Sequence, residues 1–274
     1  MADKHTPIAV ILARGLGTRM RRADTGAALG EEQARVADTG VKAMIPIGRP
    51  FLDYVLGALA DAGLTEACLV IGPEHGAVRE YYAAAAGLTR VRVGFAVQEQ
   101  PLGTADAVAA AAGVVGSRDF LVLNSDNYYP VEAYRALAAL DGPGLVAFER
   151  DAMIRHGNVP ADRVGQFAVV RIGDDGTMLD IVEKPDAATL AAFGDEVYLS
   201  MNCWRFDTSV LDACRRVPLS ARGERELTDA VRLARREAGT RFRVVRMKAG
   251  VLDLSSRGDI AGVAGRLSGV EVRL

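Results

Sequence analysis

A chain of 274 residues, half of them hydrophobic and a quarter charged with a formal net charge of −2, is long enough to bury a substantial core as one elaborated α/β unit and calls for no second domain. That balance excludes a strongly basic nucleic-acid-wrapping surface and a polybasic membrane face, and no apolar run approaches the ~20 residues that span a bilayer, so the expected partner is a small molecule. The amino-terminal MADKHTP carries no signal-peptide pattern, and the three cysteines, Cys68, Cys203 and Cys214, lack ligand spacing, so they read as reduced thiols of a cytoplasmic protein.

The first element is an apolar run, Ile8 to Leu12, that reads as a buried strand of a parallel sheet and breaks at once into Arg14-Gly15-Leu16-Gly17-Thr18-Arg19. Open α/β sheets hold ligands at the carboxyl ends of their strands. Gly15 and Gly17 let backbone N–H groups approach a ligand, and the planar fork of Arg19 matches phosphate oxygens, so the segment is expected to hold a phosphate-bearing nucleotide. Met20 stands where a dinucleotide fingerprint needs its third glycine, and there is no Gly-Lys-Ser/Thr for a Walker A loop. The plainer alternative is a tight strand-to-helix turn with a surface arginine. From Arg21 to Gly40 a polar stretch with ADTG at both ends reads as a short helix between two turns, either a lid over the loop or a solvated excursion.

Phe51, Val55, Leu56 and Leu59 fall on one helical face that stops at Gly63. Strands then alternate with helices: strands at 67–71, 91–97, 120–123 and 144–148, helices at 74–86, 104–112 and 131–140. This alternation implies a parallel sheet covered on both faces. Beyond Arg150 the rhythm changes. Segments 166–172 and 178–182 flank the turn Gly173-Asp174-Asp175-Gly176, which predicts antiparallel additions in the second half. A strand at 197–206, a helix at 226–237, a strand at 242–247 and a helix at 257–267 follow, with no linker rich enough in Pro, Gly or Ser to divide the chain.

Asp126 follows the strand FLVLN, and Asp253 sits after the apolar start of GVLDLSSRGD. A carboxylate at a strand end is expensive to bury unless it caps a helix or holds a cation. Two oxygen ligands beside a phosphate loop suit Mg²⁺, which uses few carboxylates together with substrate phosphates. His5, His75 and His156 have no partner at metal-ligand spacing, and Trp204 reads as core, or as a sugar-facing wall. The arginines at 215, 216, 232, 235 and 236 form a face explained by solvation or by a subunit contact, which is compatible with a homo-oligomer.

Leu12, Ala13, Gly15, Gly17, Thr18 and Arg19, followed by Lys42, resemble the signature of the sugar-1-phosphate nucleotidyltransferases. The resemblance continues in the family's order with Gln98 ahead of Gly103-Thr104, then Asp126, Gly165, Glu183-Lys184-Pro185, Asn202, Glu226-Leu227-Thr228-Asp229 and Asp253. It implies a Rossmann-like, mixed and mainly parallel sheet flanked by helices, as also in GT-A folds, with a nucleotide half at about 1–150 and a sugar-phosphate half at about 151–274. It further implies that Leu12, Ala13, Arg14, Gly15, Gly17, Thr18, Gln98, Gly103 and Thr104 bind a nucleoside triphosphate. Arg19, Lys42 and Lys184 would act on the reacting phosphates, Gly165, Glu183, Lys184 and Asn202 would receive the sugar-1-phosphate, and Asp126 and Asp253 would hold Mg²⁺. Arg14 in place of a small residue, Val41 in place of proline, and the long Arg19–Lys42 interval depart from the pattern. Two rivals share the fold: a glycosyltransferase using Ser125-Asp126-Asn127 as its metal motif, and a non-catalytic nucleotide-sugar sensor.

Overall fold

The computed structural model describes residues 6–194 and 196–274; the amino-terminal segment and His5 lie outside them. The strands are β1 (Ile8–Leu12), β2 (Glu66–Ile71), β3 (Arg92–Val97), β4 (Phe120–Asn124), β5 (Asn127–Tyr128), β6 (Gly144–Glu149), β7 (Ala168–Ile172), β8 (Met178–Val182), β9 (Tyr198–Phe206), β10 (Arg243–Met247) and β11 (Leu252–Asp253). The main sheet runs β3-β2-β1-β4-β9-β6-β10. β3, β2, β1 and β4 are mutually parallel, as are β6 and β10, and β9 runs antiparallel between β4 and β6.

The near-continuous apolar runs of β1, β2 and β4 follow from burial on both faces. Along β1, Ala9 and Ile11 pack to one side and Ile8 and Val10 to the other. The first side receives Phe51, Leu52, Val55 and Leu56 of the helix Phe51–Asp61 together with helices Val131–Ala139 and Asp259–Leu267. The second receives helices Thr104–Ala110, Ser209–Arg216 and Leu227–Ala238. Each Leu or Phe fully withdrawn from water here contributes about 1.5–3 kcal/mol. Trp204 belongs to this second core: it is fully buried and stacks on Phe206 at 5.4 Å, so it forms no sugar-facing wall.

Two irregularities place the functional residues. On one edge β9 pairs with β4 through residues 204–206 and with β7 through residues 199–200, so it exchanges partners at Met201–Cys203. On its other edge the register against β6 slips at the same point, and Asn202 takes φ +54°. A bulge of this kind bends a strand and redirects a side chain. The second irregularity is the short antiparallel ribbon of β5 and β11, in which Asp253 faces Asn127 and Leu254 N donates to Asp126 O at 2.8 Å. Asp253 therefore lies within a two-residue strand rather than beyond a longer one.

Residues 21–41 form a turn at Asp24–Ala27 and a helix, Glu31–Thr39, ending at Gly40 in the left-handed region. Arg21 Nε donates to Thr39 O at 3.1 Å, and Arg257 ties Met20 O to Asp38. The segment is thus docked on the phosphate loop.

Candidate active site

Chain reversal between β1, which is followed by β2 and β3 on one side, and β4 on the other opens a crevice at their carboxyl ends, the usual ligand position in such sheets. The crevice has two connected lobes. One, of about 420 Å³, is lined by Leu12, Ala13, Arg14, Gly15, Gly17, Thr18, Gln98, Gly103 and Thr104. The other, of about 230 Å³, is lined by Glu183, Lys184, Asn127 and Asp253 among others. Arg19, Lys42, Thr104, Asn124, Asp126, Asn202 and Glu224 line both lobes and so stand at the waist. No described residue from 20 to 41 lines either lobe; in this structure the inserted helix packs against the loop.

The glycines of the first lobe differ in what demands them. A Cβ on Gly17, at φ +60°, would sit 2.1 Å from Gly40 O, so Gly17 is required by the docking of the insert. A Cβ on Gly103 would sit 2.6 Å from Arg225 O, so a neighbouring backbone, not a ligand, excludes a side chain there. A Cβ on Gly15 would meet nothing within 4 Å, so no neighbouring atom excludes a side chain there. Thr104 lines the lobe, and its Oγ1 also accepts from Leu227 N at 2.9 Å, which ties helix 104–110 to helix 227–238.

Gln98 is buried, and its Nε2 donates to Gly103 O at 3.0 Å and to Asp106 Oδ2 at 2.9 Å. Both partners are acceptors only, which fixes the amide with its Oε1 carbonyl turned away from them. Arg14 does not point to solvent. Its side chain is only 8% exposed and donates from Nε and Nη2 to Glu74 at 3.3 and 3.4 Å. Beside it His75 Nδ1 accepts from Gly72 N at 3.2 Å, and burial holds the imidazole below its usual pKa, hence neutral.

At the waist Lys42 Nζ donates to Asp126 Oδ2 at 2.8 Å, and Arg19 Nη1 donates to Gln166 Oε1 at 3.1 Å. Asp253 is almost wholly buried. Its Oδ1 accepts from Asn127 Nδ2 at 2.9 Å and its Oδ2 from Arg163 Nη2 at 2.6 Å, while Arg163 Nη1 reaches Asp259 at 2.8 Å. Burial, and then the neighbouring Asp126 charge, push the Asp253 carboxyl above the usual range. A buried carboxylate left without such donors would cost several kcal/mol. In the second lobe burial, and then Glu226, raise the Glu183 carboxyl in the same way.

Lys184, at φ +45°, and Asn202 are the non-glycine residues held in the left-handed region among those described, and both line the second lobe. Backbone held there by its surroundings is concentrated at functional sites. Ser200 Oγ and Thr228 Oγ1 line this lobe buried and without a partner. Gly165 does not line it, whereas Gln166 beside it does.

Sequence reasoning missed Asn124, Arg163, Gln166, Arg222 and Glu224. Arg222, which donates to Glu226 Oε1, lies in a turn just ahead of the Glu226–Asp229 helix start, where no local pattern marks it.

Two connected lobes, joined across a lysine–aspartate pair at the reversal point of a mostly parallel sheet, define an α/β protein with its candidate site at the carboxyl ends of the strands. The chain belongs to the nucleotidyl transferase family, whose model matches residues 30–253. It is 28% identical over 229 residues to the low-salt glycan biosynthesis nucleotidyltransferase Agl11 of Haloferax volcanii (81% of this chain, 55% of that one). It is 30% identical over 234 residues to a glucose-1-phosphate thymidylyltransferase of Streptomyces griseus (81% and 56%). The chain thus spans little more than half the length of these relatives. Among solved structures it resembles a UDP-glucose pyrophosphorylase complexed with UDP-glucose, with TM-score 0.73, 16% identity, and coverage of 97% of this chain and 100% of that one. It also resembles the UTP-bound UGPase of Acinetobacter baumannii, with TM-score 0.70, 20% identity, and coverage of 98% and 96%.

Proposed function

We propose that the protein joins a nucleoside triphosphate to a sugar-1-phosphate, or to a cyclitol phosphate of similar shape, and releases pyrophosphate. The observation that carries this reading is the waist: Lys42, Asp126 and Arg19 lie where the two lobes meet, the place at which two phosphates would be brought together. A sugar phosphate oxygen is already anionic and needs no general base, so alignment and charge neutralisation suffice. The triphosphate lies along Gly15–Arg19, with Arg19 on the departing phosphates and Lys42 beside the attacked α-phosphorus. Lys184 neutralises the incoming phosphate, and Glu183, Asn202 and the unpartnered hydroxyls of Ser200 and Thr228 meet the hydroxyls of the sugar. On this reading the nucleotide half is about 1–150 and the sugar half about 151–274.

Asp126 and Asp253 fit Mg²⁺ as two neighbouring carboxylates, hard oxygen donors whose charges interact. A cation held by few carboxylates draws its remaining ligands from water and phosphate. Bound there, Mg²⁺ would neutralise charge on the α-phosphate.

Gln98 Oε1 offers an acceptor to an imino N–H, which favours uracil or thymine, and the thymidylyltransferase relative and the UTP-bound neighbour support a pyrimidine. Among the described residues no helix is long and apolar enough to cross a membrane, and we place the enzyme in the cytoplasm.

Pyrophosphate release, followed with a panel of triphosphates and sugar-1-phosphates in the presence of Mg²⁺, tests the reading. At least one pair is expected to turn over, and Asp126→Asn or Asp253→Asn to lower the rate by roughly a hundredfold or more. No turnover with any pair counts against it. Release of nucleoside diphosphate from a nucleotide sugar would select the glycosyltransferase reading, and binding of nucleotide sugar without turnover the sensor.

A further inference from the structure

Arg14 is the residue of the nucleotide lobe whose surroundings are least explained by the protein itself. Its guanidinium lies on the backbone of Gly72, at the carboxyl end of β2, where a Cβ would come within 2.5 Å of Arg14 Nε and 2.4 Å of the Glu74 carboxylate. Gly72 therefore makes the seat, and Glu74 holds Nε and Nη2 through two long bonds. Nη1 is left buried with no acceptor. Glu74 balances the charge of the guanidinium, but Nη1 keeps an unused donor that a ligand acceptor can take up. Arg14 lines the same lobe as Gln98, whose amide is fixed with its carbonyl free. The lining of the lobe thus includes a cationic donor and a neutral acceptor.

We propose that Arg14 determines which base this enzyme takes: Nη1 donates to a ring carbonyl while Gln98 Oε1 accepts from the adjacent imino N–H. Uracil, thymine and guanine carry that carbonyl and N–H pair. Cytosine and adenine carry an amino group beside a bare ring nitrogen, which would set donor against donor and acceptor against acceptor. His75, neutral because its Nδ1 accepts from Gly72, adds no second charge beside Arg14. The proposal rests on reading this lobe as the seat of the triphosphate.

The test is titration calorimetry of UTP, dTTP, GTP, CTP and ATP against the wild type, Arg14→Gly and Arg14→Lys, with kcat/KM measured for each triphosphate wherever turnover occurs. Circular dichroism of each variant checks that it is folded. The wild type is expected to favour the three keto bases, and Arg14→Gly to lose roughly tenfold to a hundredfold of that preference without a change in KM for the sugar phosphate. Arg14→Lys keeps the charge but not the fork, and is expected to fall between. Equal affinity of the wild type for UTP and CTP, or an unchanged preference in folded Arg14→Gly, overturns the proposal. Binding is read without turnover, so a protein that binds keto triphosphates selectively but catalyses nothing would refute the proposed reaction and leave the role of Arg14 standing. A protein that binds no triphosphate refutes both.

Discussion

Asn202 shows at the scale of one residue how a backbone position and a side chain are separately useful. Its φ of +54° suits glycine best and asparagine next, and its amide lies between Asn124 Oδ1 and Trp204 Nε1, each at 3.4 Å. Asn202→Gly is expected to fold within about 1 kcal/mol of the parent while activity falls. Asn202→Ala is expected to lose the same activity and a further ~1–2 kcal/mol, because alanine resists this conformation. Thermal melts beside rate measurements separate the two contributions, and full activity in Asn202→Gly would refute a role for the side chain. Glu183 permits a prediction in pH. Its folded pKa is raised, by burial first and then by Glu226, above the ordinary 4.5. The folded state therefore holds the proton more tightly than the unfolded chain, and stability is lost as pH rises through the raised value. Glu183→Gln is expected to raise the melting temperature at pH 7 and to give no gain at pH 4. A melt series across that range that runs parallel for both proteins would count against a strained carboxylate.

At the scale of elements, the phosphate loop contains a controlled comparison. Gly17→Ala must put a methyl group into Gly40 O and hold φ +60°, so it is expected to cost at least ~1–2 kcal/mol and to loosen the inserted helix. Gly15→Ala meets open space, and is expected to leave stability nearly unchanged while raising KM for the triphosphate, since Gly15 lines the lobe. Melting temperature and KM for each variant check the pair, and a stable Gly17→Ala with ordinary KM would refute the docking described. The main strands and the longer helices were legible because apolar runs and helical periodicity are local signals. Helix Arg150–His156 was not: charged at both ends and only seven residues long, it shows no clear apolar face. Ser209–Arg216 was legible and overlooked, for Val210, Leu211, Ala213 and Cys214 repeat at helical spacing. The β5–β11 ribbon was beyond reach, because two-residue strands have no period. The motif residues identified the cleft, but the reasons for Gly17 and Gly103 lie in Gly40 and Arg225, partners that no local pattern names.

Across the whole molecule, the two core layers share β1, β4 and β9 as a common spine, so the two are expected to melt together. Trp204, the single tryptophan, lies on that spine and is fully buried. Its fluorescence in urea is expected to change together with far-UV circular dichroism in one transition, and two separated midpoints would show that the halves unfold independently. The β5–β11 ribbon has a temporal consequence as well. Asp126 and Asp253 become neighbours only through pairing of Asn127 with Asp253, and loops of this span close late and slowly. During synthesis the nucleotide loop and Asp126 emerge long before their second carboxylate. Because the first lobe also takes Asn202 and Glu224, and Gly103 packs on Arg225, neither lobe can be completed until the carboxy-terminal part of the chain has been made, and the pairing that brings Asp253 to Asp126 comes later still.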